Sequence, residues 1–389
     1  MAKTYILWLH KWLGLIAGAV VFLVSLAGAV YVFQDDLKVL VYPERYLLPE
    51  AAHGEAKPLS ELIAIAQKQL PEGQKITRVD LYPAKDRTWA FRAVATDPEG
   101  FGLNNYFHYY KRVFLNPYTG EVAAVENALR EFFQLTVELH MHLLLGRTYG
   151  TPIVACNAAV FILMLLSGIV LWWPKNSKRK TLKRRFWFSK EIKRKRLNYD
   201  LHQVLGFYSF FFALLIATTG LVYGSTAFKE AYVNFFNTIS PSSKTAPKAV
   251  SDPAYIPQVY TSNALDNTLA YALKKHPEAH MMSIRLRGED SPTVDVQVRL
   301  QEGRTGDFVW YYVRRADHRI DHIDRSATLT GGDKLLALNY DIHTGNIAGW
   351  PTKILNFLIA LFCASLPVTG YILYAHKQKG LRKAKRAKY

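Results

Sequence analysis

The chain has 389 residues, half of them apolar, with 49 Lys and Arg against 31 Asp and Glu for a formal net charge of +18. Two cysteines, Cys156 and Cys363, are too few for a disulfide framework or for cysteine ligation of an iron–sulfur cluster, and neither sits in a Cys-x-x-Cys-His run that would attach c-type haem. The charge is concentrated: residues 174–199 carry twelve Lys/Arg against the single acid Glu191, and residues 376–389 carry seven with no acid. Those stretches hold the whole +18, so the basicity reflects membrane topology and calls for no nucleic acid.

In chain order, residues 1–34 hold the first apolar run, 12–33, about the ~20 residues that cross ~30 Å of hydrocarbon. Lys3 and the small residues Ala27-Gly28-Ala29 resemble a signal peptide, but the apolar region of a signal is about 7–15 residues. This run extends from Trp12 to Phe33, so the first helix is expected to stay uncleaved. Residues 35–139 then read as a soluble α+β domain, with helical periodicity in LSELIAIAQKQL (59–70) and strands near 76–82, 88–95 and 106–115, closed by the turn Asn116-Pro117-Tyr118-Thr119-Gly120. Residues 140–173 join a histidine-bearing segment to the second apolar run, 152–173, and the basic loop 174–199 follows.

The third apolar run, 203–224, lies within residues 200–225, and 226–340 form the second soluble domain. Its helix is TSNALDNTLAYALKKH (261–276), its strands lie near 281–287, 293–300 and 308–315, and a charged turn follows at Arg315-Ala316-Asp317-His318. Residues 341–376 carry the last run, 352–375, whose edge residue Lys353 can snorkel to the interface, and 377–389 are a basic tail. Each soluble segment is long enough for a modest core of its own. The positive-inside bias places both termini and the 174–199 loop in the cytoplasm and the two soluble domains outside. The expected fold is an α-helical membrane protein with four transmembrane helices in two repeats, each repeat carrying an external α+β domain.

The repeat is legible in the letters. LHKWLG at 9–14 returns as LHQVLG at 201–206, and Gly28 and Tyr31 return as Gly220 and Tyr223, all shifted by 192 residues. Glu138-Leu139-His140 with Gly146 returns as Asp341-Ile342-His343 with Gly349, ahead of runs ending LSGIVLWW (166–173) and VTGYILYA (368–375). Ionisable groups at membrane depth are costly and point to function, and neutral imidazole is a good ligand for haem iron. A pseudo-twofold axis along the membrane normal would bring His10 to His202 near one face and His140 to His343 near the other, with Gly14, Ala17 and Gly206 leaving room for a flat macrocycle. His142, two residues beyond His140, is an alternative ligand, and His376 has no histidine counterpart in the first repeat. His276/His280 and His318/His322 have the i, i+4 spacing of a helix metal site, but both second members fall in or near strands, and the other soluble-domain histidines read as surface residues.

These motifs, with the basic loop and the helix-then-strands order ending in VFLNPYTGEV (113–122), resemble the PepSY-associated transmembrane proteins over nearly the whole chain. Among them, the chain is similar to the di-haem inner-membrane ferric-siderophore reductases of the FoxB type. The resemblance implies PepSY-like external domains and two b-type haems (haem b) ligated by His10, His140, His202 and His343, with His142 and His376 as the uncertain positions. It further implies residence in a bacterial inner membrane with both soluble domains in the periplasm, where Fe(III) in a ferric siderophore is reduced and Fe(II) released. No Gly-x-Gly-x-x-Gly follows a strand, and the cytoplasmic segments are too short for a flavin or nicotinamide domain, so the electron donor is expected to be a separate cytoplasmic or membrane partner. The rival reading is a non-catalytic binding or sensing protein whose helices only anchor its periplasmic domains. Transport of the chelate itself lacks support, since the apolar runs hold no acids and no evident pair of broken helices.

Overall fold

A computed structural model describes residues 2–51, 54–174, 183, 185–188, 194–240, 263–288 and 291–386. Most of the basic loop 174–199, the end of the basic tail (387–389) and the start of the expected helix at 261–262 lie outside these residues. In chain order the helices that matter are α1 (Ala2–Val32), α2 (Leu59–Gln67), α3 (Phe132–His142), α4 (Arg147–Trp172), α5 (Arg194–Gly224), α6 (Ala264–Lys275), α7 (Gly331–Thr344) and α8 (Trp350–Arg386). The chain forms two compact units, one of Met1–Val32, Thr136–Lys229 and His343–Tyr389, the other of Phe33–Leu135 and Glu230–Ile342.

The first unit contains four helices long and apolar enough to cross a membrane, α1, α4, α5 and α8. Helix α1 packs along α4 and α8, and α5 packs along the same two, so the repeat-related α1 and α5 are diagonal in a four-helix bundle. Outward faces expose Ile16, Leu163, Phe211 and Ile354, which suits a lipid surround, where only backbone satisfied within its own helix is tolerated. Inside, Leu165, Ala213, Ile359 and Cys363 form an apolar core, and small residues such as Ala17, Ala27 and Ala217 are buried where helices approach closely. Cys156 is exposed and Cys363 buried, both as free thiols. The chain is therefore a multi-pass membrane protein in contact with lipid. One irregularity breaks the repeat: Leu201–Leu205 is a π-helical turn, whereas the equivalent stretch around His10 is plain α-helix.

The second unit corrects an expectation. The two soluble segments do not build separate cores; they share one antiparallel sheet of eight strands in the order β4-β3-β2-β1-β5-β6-β7-β8. The strands are β1 (Ile76–Leu81), β2 (Trp89–Thr96), β3 (Phe107–Leu115), β4 (Val122–Asn127), β5 (Met281–Arg285), β6 (Thr293–Arg299), β7 (Phe308–Arg314) and β8 (Ile320–Arg325). At the centre β1 pairs with β5, Val79 opposite Ile284 and Asp80 opposite Ser283. That pairing removes two exposed sheet edges and merges two small cores into one. Leu59 and Leu62 of α2, Leu269 of α6, and Phe91, Val113, Ile284 and Val296 of the sheet belong to a single buried cluster. Asp266 of α6 clamps the two halves, accepting hydrogen bonds from the Ser60 amide at 2.7 Å and the Ser60 hydroxyl at 2.6 Å.

On the other sheet face Asp80, 1 % exposed, pairs with Arg78 at 2.9 Å and with Arg92, and accepts a hydrogen bond from the Ser283 hydroxyl at 2.9 Å. Burial alone would raise its pKa, but the charges of Arg92 and then Arg78 outweigh burial and hold it below the usual carboxylate range.

Candidate functional site: two histidine pairs in the helix bundle

Each expected histidine pair forms, and both lie within the bundle unit. The ring centres of His10 on α1 and His202 in the π turn of α5 are 6.4 Å apart. Those of His140 on α3 and His343 on α7 are 5.9 Å apart. Two imidazoles holding one metal from opposite sides, each with a nitrogen about 2 Å from it, put their ring centres roughly 6 Å apart.

What fixes these rings is repeated as faithfully as the rings themselves. His10 Nδ1 lies 2.9 Å from Ser167 Oγ, and His202 Nδ1 lies 2.8 Å from Thr369 Oγ1. Both hydroxyl hydrogens are already committed to backbone carbonyls of their own helices, Ser167 to Met164 at 3.0 Å and Thr369 to Ser365 at 3.0 Å. The hydroxyls therefore accept from Nδ1–H. His140 Nδ1 donates to the Val24 carbonyl at 2.8 Å, and His343 Nδ1 to the Ile216 carbonyl at 3.1 Å, with Thr219 Oγ1 a further 3.0 Å partner. In all four rings Nδ1 carries the proton, which leaves Nε2 with the free lone pair that a metal ligand needs.

A glycine backs every ring. A Cβ built on Gly28 would lie 2.9 Å from His140 Cε1, on Gly220 3.1 Å from His343 Cε1, on Gly168 3.4 Å from His10 Cε1 and on Gly370 3.5 Å from His202 Cε1. The spacing of Gly28 and Gly220 behind His10 and His202 thus serves the opposite end of the bundle, where Tyr31 and Tyr223 also lie beside His140 and His343. Sequence reading missed Ser167-Gly168 and Thr369-Gly370. The signal was present in LSGIVLWW and VTGYILYA, where a hydroxyl residue followed by glycine occupies matching positions.

The alternatives take other roles. His142, 9 % exposed, turns its Nδ1 to Thr151 Oγ1 at 2.9 Å; burial, helped by the charge of Arg147, lowers its pKa to about 4. It stands outside the pair that His140 makes with His343. Among the described residues His376 makes no ring contact with another histidine, and its Nδ1 is buried without a hydrogen-bond partner. In the sheet unit, His276 Nε2 lies 2.7 Å from the Tyr311 hydroxyl, His280 meets the Tyr82 ring edge-on, His318 Nδ1 accepts from Asn267 at 2.7 Å, and His322 stacks on Tyr312 at 3.8 Å. None of these builds a metal site. Among the described residues no three His, Cys, Asp or Glu side chains gather as a cage for a bare ion.

Around His10 and His202 the helices leave a cavity of about 530 Å³, walled by Gly14, Phe161, Leu165, Gly168, Phe207 and Gly370 among others. That lies within the roughly 300–1,000 Å³ typical of small-molecule and cofactor pockets. An apolar wall with two inward imidazoles suits a flat, largely apolar group carrying a metal at its centre.

No curated protein matches the chain. A family model described as the PepSY-associated TM region matches residues 7–377, and the chain belongs to that family.

Proposed function

We propose that the chain is a di-haem b membrane oxidoreductase that carries electrons across the bilayer and reduces Fe(III) in a siderophore, so that Fe(II) is released for uptake. The observation that carries this reading is the pair of histidine pairs, with ring centres 6.4 and 5.9 Å apart and every Nδ1 engaged. The residues fit the group: four rings with Nε2 free, four glycines behind them, and a cavity of cofactor size at His10 and His202. Held by His10 and His202 at one site and by His140 and His343 at the other, haem would supply a one-electron couple suited to electron transfer.

The protein's own contribution is to hold and tune. His10 and His202 would ligate at one end, His140 and His343 at the other, and the Nδ1 hydrogen bonds fix each tautomer and raise the basicity of Nε2. Eighteen residues of α1 separate His10 from Gly28, roughly 27 Å of helix rise, so the two pairs sit at opposite ends of a membrane-thick bundle. The substrate argument is chemical. Hard oxygen donors grip Fe(III), and one added electron gives the softer, more labile Fe(II).

The positive-inside bias supports a bacterial inner-membrane protein with both termini and the basic loop in the cytoplasm and the sheet unit in the periplasm. The electron donor is then a separate cytoplasmic or membrane partner, which the basic face would attract if it is acidic. The test is an optical spectrum of the detergent-solubilised chain before and after dithionite, with a pyridine haemochrome count. Two low-spin b haems per chain, reoxidised by an added ferric siderophore, are expected. A colourless protein from haem-replete cells would overturn the proposal and leave the periplasmic sheet as a binding or sensing module on four anchoring helices.

A further inference from the structure

The cavity around His10 and His202 is apolar over most of its wall, yet Lys11, Arg185 and Lys377 also line it and, among the described residues, no Asp or Glu does. Lys11 Nζ rests 4.5 Å from the centre of the Trp12 ring. Arg185 Nη1 donates 2.8 Å to Gln203 Oε1, beside His202 in the chain. Among the described residues none of the three cations has a carboxylate partner. Lys11 and Arg185 are half-buried there, where an unpaired charge is costly, and Lys377 is exposed at the rim. The positive-inside bias accounts for basic residues at this end of the helices; it does not account for three of them lining the ligand cavity with no acid beside them among the described residues.

We infer that Lys11, Arg185 and Lys377 bind the two carboxylates of a b-type tetrapyrrole seated between His10 and His202, and so fix its orientation. This rests on reading the cavity as a haem site. The chemistry matches: such a macrocycle is an apolar disc with two propionates on one edge, and a guanidinium offers a planar fork suited to a carboxylate. Arg185 has donors to spare beyond the one given to Gln203. Two carboxylates would offset two of the three cations, so that less charge is left unpaired beside the apolar wall. The positioning is also directional, because a disc free to turn about the axis between its ligands is held by its charged edge.

The test uses the full chain and the variants Arg185→Gln, Lys11→Gln, Lys377→Gln and the triple. The readouts are haem loss to apomyoglobin and the midpoint potential of each haem. In Arg185→Gln the haem at His10 and His202 should leave about tenfold faster, the size expected when one charge-assisted bond is lost. Its potential should fall, because uncompensated carboxylates favour the ferric state. The haem at His140 and His343 should be unchanged, which shows that the variant is folded.

Reconstitution with haem dimethyl ester, whose carboxylates are masked, should abolish the difference between variant and wild type. A triple variant with unchanged loss rate and potential overturns the inference and leaves the haem reading intact. A difference that persists with the ester also overturns it, and assigns the cations to another anion such as a lipid headgroup. A wild-type chain without haem removes both readings.

Discussion

Replacing Ser167 with Ala deletes one oxygen and nothing else from the His10 site. The Ser167 hydroxyl is 2.9 Å from His10 Nδ1, and its own hydrogen is spent on the Met164 carbonyl at 3.0 Å. In Ser167→Ala the Nδ1–H loses its acceptor in an apolar surround, at a cost of about 1–3 kcal/mol. The imidazole recovers some of this by turning or by moving its proton to Nε2, and either removes the lone pair a metal needs. The expected loss of affinity at that site is roughly 10- to 100-fold, the range found for outer-shell partners of metal-bound histidine. Haem loss to apomyoglobin and a pyridine haemochrome count would read it, with the His140 and His343 haem as internal control. Ser167→Thr should restore the wild-type rate, because the second repeat already uses Thr369 for the same bond at 2.8 Å. A Ser167→Ala chain that keeps both haems at wild-type rates would refute the assigned role of the hydroxyl. Selective loss of the other haem would refute the pairing itself.

The glycines give a graded expectation: Gly28→Ala, with its Cβ 2.9 Å from His140 Cε1, should displace that ring and cost the haem at His140 and His343, while Gly168→Ala and Gly370→Ala, at 3.4 and 3.5 Å, should keep both, as absorbance spectra of the three variants would show. His142→Ala and His376→Ala should each retain two haems by haemochrome count; loss of one would reassign a ligand. In the sheet unit, Asp80→Asn should destabilise by about 2–3 kcal/mol in denaturant unfolding followed by tryptophan fluorescence. That is below the ~3–5 kcal/mol of a fully buried pair, because Arg78 and Arg92 keep 29 % and 32 % of their side chains exposed. Since the pKa of Asp80 is depressed in the folded state, its contribution is present above the ordinary carboxylate pKa and is lost as pH falls through the folded value. Asp80→Asn should therefore lose less stability on acidification than wild type, and an equal acid-side slope would remove Asp80 from that account.

The histidines were legible because a repeat carries information that a single motif does not. The shift from His10 to His202 and from His140 to His343 marked which of twelve histidines to pair, and the bundle places those two pairs ring to ring. Their seats were harder to read, since a Ser-Gly or Thr-Gly dipeptide in an apolar run looks like any small-residue helix contact. The single sheet was not legible at all. Nothing local in β1 or β5 says that Asp80 lies opposite Ser283, some two hundred residues away, and either strand alone reads as an acceptable edge. Strands β4 and β8 escaped notice because they are half-exposed outer strands, and IDHIDR in particular reads as polar. The π turn under His202 has no signature in LHQVLG, which shares four of its six letters with the α-helical LHKWLG.

The seating also divides the labour between the repeats. His10 rests on Ser167 and Gly168, and His140 on Val24 and Gly28, all within the first repeat. His202 rests on Thr369 and Gly370, and His343 on Ile216 and Gly220, all within the second. Each repeat supplies the hydrogen-bond partners and the glycines behind its own two histidines. Each pair, in contrast, takes one ring from each repeat. A ligated metal at either end would therefore tie the halves together across the bundle at both ends of α1 and α5, adding to the packing of α1 on α8 and of α5 on α4. A chain built this way gains rigidity on loading, since whatever binds two rings from different repeats favours the arrangement in which they face each other and binds the unfolded chain far more weakly. Thermal unfolding should show that directly: loading should raise the midpoint of the bundle, and His10→Ala and His343→Ala should each forfeit part of the gain, whereas His142→Ala should forfeit none.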